Sequence, residues 1–220
     1  MGITTSYVGM NASNTAYIDT TGATVEADGS VDVFAGREDD RNTIHTEATA
    51  VAGAVGGTAV NLNAAVADNN AYNSAQLRGN GRLKTASKLA IGANALADSV
   101  ATIYGVTVGV TSVAASVAVS LLRSTQEAKI TGSNIEATGL DVISNLNADA
   151  DEAPARAELY VGSGGLISAA ANVAVAYGRS KSVANAAPTS VTITGNGDVK
   201  VGSYGIGNVL SKTGNMTAAC

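Results

Sequence analysis

From Tyr104 the chain reads Gly-Val-Thr-Val-Gly-Val-Thr, with larger apolar residues at every second position. The same two-residue beat runs through Asn63-Ala-Ala-Val-Ala67, Ser116-Val-Ala-Val-Ser120 and Asn172-Val-Ala-Val-Ala176. A period of two sends successive side chains to opposite faces of an extended strand. Alanine alone would favour a helix. Its mixture with Val, Thr, Ser and Gly, together with the alternation, predicts strands instead. Each of these blocks lies seven residues after a glycine, Gly56, Gly109 and Gly165 respectively. A glycine repeated with its flanks predicts a turn whose backbone conformation other residues resist.

A second pattern organises the first. A short alternating segment ending in Φ-x-Φ occurs four times, its tail beginning at Val31, Leu89, Leu140 and Val199, at spacings of 58, 51 and 59 residues. This divides the chain into a partial repeat (1–30), three complete units (31–88, 89–139 and 140–198) and a second partial repeat (199–220). Each unit runs from the Φ-x-Φ segment through a polar, acidic stretch and a long alanine-rich section to a closing strand. Beginning and ending inside a repeat is what an internal segment of a longer protein would do.

Self-similarity at such a period predicts a stacked array rather than a globule. The expected fold class is all-β: a β-solenoid, parallel β-helix-like, of 51–59-residue units. At each glycine break, a β-hairpin excursion and two successive solenoid strands fit equally well. With two or three layers per unit, stacked about 4.8 Å apart, the chain would form a rod roughly 45–50 Å long.

Composition narrows this picture. Alanine and valine dominate the apolar residues; Phe34 is the only phenylalanine and Trp is absent, so the expected core is thin. The net charge of −5 argues against nucleic acid, whose binding needs cationic groups to displace counterions. It gives no attraction to anionic lipid either. Cys220 is the single cysteine and has no partner for an intrachain disulfide. The first residues, Met1-Gly-Ile-Thr-Thr-Ser-Tyr-Val8, carry no signal-peptide pattern.

Candidate chemistry is sparse. His45, the only histidine, has Glu47 two residues away but lacks the ligand spacing of a metal site, and reads as a surface strand residue. Acidic runs at Glu38-Asp39-Asp40 and at Asp149, Asp151 and Glu152 hold the oxygen ligands calcium prefers. Gly195-Asn-Gly-Asp198 is a fragment of a calcium-binding repeat, and Gly79-Asn-Gly81 lacks the acid. Solvated turns account for all of these, so no cofactor is expected and calcium is the minor alternative. No carboxylate pair can be chosen for polysaccharide cleavage, and the seven tyrosines look scattered; an enzyme is not expected, and no catalytic, cofactor or metal residues are assigned. Arg123, Arg179 and Lys181 follow the central block in two units where the first has Asp68-Asn-Asn70, which predicts a polar exposed turn. Two segments, 105–122 and 161–178, carry no charge. Each has room for two membrane β-strands; the preferred reading is a pair of strands buried between neighbouring layers.

The pattern carried by Asn172–Ala176 and by Ala128–Val142, with their equivalents in the other units, resembles the repeats of leukotoxin-family filamentous adhesins, large secreted exoproteins of Gram-negative bacteria. The resemblance spans about Tyr7 to Val201. It implies export to the bacterial cell surface or the extracellular space, a β-solenoid stalk, adhesion to host or bacterial surface receptors, and in some members virulence through leukocyte toxicity. The expected function is a structural segment of such an adhesin, partnered by neighbouring repeats of a longer parent chain. The alternatives are a membrane-active, leukotoxin-like segment and a filament subunit joined as a homo-oligomer through the solenoid ends.

Overall fold

The computed structural model describes residues 1–36, 42–147 and 152–219. It contains 17 strands and, among the described residues, no helix. In chain order they are β1 (Gly2–Met10), β2 (Ser13–Asp19), β3 (Thr24–Ala27), β4 (Val31–Ala35), β5 (Asn42–Asn69), β6 (Tyr72–Arg78), β7 (Arg82–Thr85), β8 (Lys88–Leu122), β9 (Thr125–Thr131), β10 (Asn134–Ala137), β11 (Gly139–Leu146), β12 (Ala155–Gly165), β13 (Ile167–Gly178), β14 (Lys181–Ala187), β15 (Ser190–Ile193), β16 (Val199–Gly205) and β17 (Val209–Ala219).

Every pairing among the described strands is parallel and joins residues one repeat apart. One sheet runs β2-β6-β9-β14, a second runs β3-β7-β10-β15, and the third collects the long strands around β8. The Φ-x-Φ residues stand in one column, Val31 beside Leu89, Leu89 beside Leu140 and Leu140 beside Val199. The central blocks are also in register, Asn63 beside Ser116 and Ser116 beside Asn172. The repeat read from the sequence is therefore the repeat of the backbone hydrogen bonds.

The count of layers is smaller than the sequence suggested. Each repeat contributes one strand to each of the two short sheets, so those sheets have four strands and span about 19 Å rather than 45–50 Å. Most of each unit is spent on length within a layer.

Two differently built parts share every repeat. In the first, Leu77, Leu83, Leu89, Ile91, Ile130, Ile135, Leu140 and Val142 draw all three sheets around one buried cluster. This core is not thin: it uses the largest aliphatic side chains of the chain. Its outside is charged, and ion pairs tie neighbouring repeats, Arg78 to Asp19 at 3.1 Å and Lys84 to Glu136 at 3.5 Å, with Arg82 to Glu136 and Lys88 to Asp141 beside them. The Arg82 guanidinium, hydrogen-bonded to Glu136, holds its carboxyl below the usual range. Exposed pairs of this kind contribute about 0–1 kcal/mol each. Their value lies in opposing charges at the correct offset, which disfavours misregistered layers.

In the second part the long strands leave this body as an arm. Leg one comprises 42–55, 95–108 and 155–164, and leg two comprises 58–69, 111–122 and 167–178, with the chain turning at the repeated glycines. The legs do not form a β-hairpin: each pairs with its own copy in the next repeat, and the two face each other through side chains. The glycines are required by close approach. A Cβ on Gly109 would overlap the Gly56 carbonyl oxygen, and one on Gly165 would overlap that of Gly109. The left-handed backbone that only glycine adopts freely occurs elsewhere, at the body corners Gly79 (φ 109°) and Gly132 (φ 83°).

Candidate functional site

The arm reverses the usual relation of inside to outside. Its interior is made of small residues: Ala48, Ala50, Ala65, Ala67, Ala101, Ala114, Ala118 and Ala157, with Ile103, Leu159 and Val161 as the larger members. Buried Ser99, Ser112, Ser116, Ser120, Asn61, Asn63 and Asn69 stand among them. Small side chains let the legs approach closely, and several of the polar ones bond across the gap. Asn69 Nδ2 donates to the Ile44 carbonyl at 2.8 Å and the Asp98 carbonyl at 2.9 Å. Ser99 Oγ donates to the Ala67 carbonyl at 3.0 Å, Ser120 Oγ to the Ser99 carbonyl at 2.6 Å, and Ser168 Oγ to Ser163 Oγ at 2.8 Å. Such bonds replace the water that buried polar groups would otherwise need.

The bulky apolar residues point outward. On leg two, register places Val113, Ala115, Val117, Val119 and Leu121 of β8 beside Ala169, Ala171, Val173, Val175 and Tyr177 of β13. On the other side of β8 stand Val60, Leu62, Ala64, Val66 and Asp68 of β5, followed by Ile3, Thr5, Tyr7 and Gly9 of β1. Val117, Val173 and Tyr177 are between 43% and 51% exposed. The uncharged segments 105–122 and 161–178 are thus strands, but only alternate side chains are buried between layers and the larger ones face solvent. A third uncharged run, 48–67, occupies the same place in the first unit. The sequence reading missed it, although shifting either segment by one repeat would have found it.

Leg one is mixed. Its distal part and the turn carry exposed Val51, Val55, Tyr104, Val106, Val108 and Val110, with Leu166 and Ile167 in the last repeat. Tyr104 and Tyr160, in register across one repeat, stack with ring centroids 5.3 Å apart. Tyrosines that look scattered along the chain are therefore not all scattered in space. Hydrogen bonding to Glu158 raises the Tyr160 hydroxyl above its ordinary range.

The base of leg one is charged, and His45 lies there. Its Nδ1 is 2.8 Å from Asp98 Oδ1 and its Nε2 is 3.4 Å from Glu47 Oε2. The sequence placed His45 on the surface beside Glu47; Asp98 joins it only through the one-repeat register. The hydrogen bond to Asp98 raises the His45 pKa, against an opposing effect of burial. Because the folded-state value lies above the unfolded one of about 6.5, this contribution to stability is complete below the unfolded value. It is lost as pH rises through the folded value. An NMR titration should give His45 a midpoint above 6.5, and Asp98→Asn should lower it; an unchanged midpoint in the variant would show that Asp98 is not the cause.

Of the calcium candidates, Glu38, Asp39, Asp40, Asp149 and Asp151 lie outside the described residues. Glu152 pairs with Arg156, and Asp198 lies 4.0 Å from Lys200. Among the described residues no three His, Cys, Asp or Glu side chains are placed to hold a metal ion. Arg123 pairs with Asp68 at the arm base, in the exposed turn expected of it. Among the described residues no helix is long and apolar enough to cross a membrane. Comparison with protein-family models, curated proteins and solved structures found no match to the chain.

Proposed function

We propose that the chain is a section of a β-solenoid stalk belonging to a secreted or cell-surface filamentous adhesin, and that its work is structural: to extend the stalk and present its flank to a cell. The observation that carries this reading is the uniform one-repeat offset of the parallel strands in all three sheets. Strands that pair only with the preceding and following repeat build a body that grows along one axis. Its sides, patterned by charge on the body and by apolar residues on the arm, form the extended surface that an adhesin uses.

The test is cell retention on surfaces coated with the purified chain. Retention of epithelial cells or of bacteria above an albumin-coated control, competed by soluble chain, is the expected result. Retention equal to the control for both would overturn the adhesive reading of this segment.

A further inference from the structure

We propose that the outer face of leg two is a lateral interface that docks on the same face of a second copy of this chain. Its dimensions are the first argument. Strands β1, the second half of β5, the second half of β8, and β13 form four adjacent columns. With about 12 residues at 3.3 Å each and four strands at about 4.8 Å, the face measures about 40 by 19 Å, or roughly 750 Å². The largest apolar patch of a typical monomer covers about 300–600 Å². A stable complex buries about 800 Å² on each partner, so one copy of this face on another supplies what a dimer needs.

The second argument is relief. Ala115 and Ala171, side by side in register, form a trough beside a ridge made by Val117 with Val173 and Val119 with Val175. A two-fold axis through the face sets the ridge of each copy against the trough of the other, and a closed two-fold contact uses one patch on both partners. Facing sheets interdigitate in this way at a separation of about 10 Å. The charged residue on this face, Asp68, lies at its base and is paired with Arg123, so the Val and Ala rows themselves bring no charge to the contact.

The dimensions favour a second copy over a lipid surface: they match what one partner of a stable complex buries, and a chain of net charge −5 has no attraction to anionic lipid. Lateral docking of this kind is independent of adhesion. It would zip two stalks side by side, and is distinct from joining through their ends.

The experiment is sedimentation equilibrium of the 220-residue chain at micromolar concentrations, alongside Val117→Asp/Val173→Asp and Val55→Asp. The native chain is expected to be dimeric. The double variant, which would bury two unpaired carboxylates on each partner, should dissociate about a hundredfold more readily or worse, with its far-UV spectrum unchanged. Val55→Asp, at the arm tip on the other leg, should leave the dimer intact. A monomeric native chain, or a dimer indifferent to the double variant, overturns the proposal. So does flotation of the native chain with phosphatidylcholine vesicles that the double variant abolishes. Should the double variant misfold, Ala115→Cys in a Cys220→Ser background decides: a bismaleimide long enough to span facing sheets about 10 Å apart should link it into a dimer at micromolar concentration, and absence of the linked dimer overturns the proposal.

Discussion

A polypeptide of residues 89–139 alone should be unfolded, with a coil-like far-UV spectrum and no cooperative thermal transition, while residues 31–198 should fold and melt cooperatively. The expectation follows from where the hydrogen bonds go. Each strand segment of this middle unit pairs with the unit before or the unit after, including β8 with β5, β11, β12 and β13, β9 with β6 and β14, and β10 with β7 and β15. Cut free, the unit retains no ladder partner for its strands. The apolar residues of its body, Leu89, Ile91, Ile130 and Ile135, lose the neighbours above and below them. Two unpaired edges on every strand and half-exposed core residues leave nothing to offset about 1–2 kcal/mol of backbone entropy per residue. A β-type spectrum and a sharp transition from the single unit would refute this account of its stability.

Leu89→Ala should destabilise the whole chain by about 2–5 kcal/mol, the range for removing an aliphatic side chain from a packed core. Leu89 is fully buried and stands in register between Val31 and Leu140, where relaxation to fill the cavity would have to move two other layers. Val55→Ala removes two carbons at a site 86% exposed and should stay within about 0.5 kcal/mol. Chemical denaturation of both variants checks the contrast. If the two lose comparable stability, the division into a conventional body and an inverted arm is wrong.

The repeat and its register were legible because they are carried by residue identity. The Φ-x-Φ tails at 31, 89, 140 and 199 and the blocks at 63, 116 and 172 stack as spaced, and the strand assignment of the alanine-rich sections holds. The sidedness of the arm was not legible. Alternation of Val with Ala, Ser or Gly announces a strand, but when neither parity is charged the pattern carries no sign of which set faces water. The inward set is fixed by size and by the cross-leg hydrogen bonds of Ser99, Ser120 and Asn69, none of which spacing reveals. The hairpin alternative at Gly56, Gly109 and Gly165 was open for a related reason. A chain that doubles back reads the same whether its legs bond to each other or to the next layer. Tyr104 with Tyr160 and His45 with Asp98 were within reach, since each pair follows from the register of the flanking strands.

Five residues of the difference among the spacings 58, 51 and 59 have a common origin. Between the first and second units the offset falls from 58 at Val31 and Leu89 to 53 at Asn42 and Ala95. Between the second and third it rises from 51 at Leu146 and Ala95 to 56 at Ala155 and Ser99. Both changes are of five residues, both fall between the Φ-x-Φ strand and leg one, and both coincide with an acidic run, Glu38–Asp40 in one unit and Asp149–Glu152 in the other. The second unit omits them and its strands still meet their partners on either side. Length at this point of the repeat is thus decoupled from the pairing on either side of it. That makes it the place where a grafted epitope or tag would leave the flanking ladders in register.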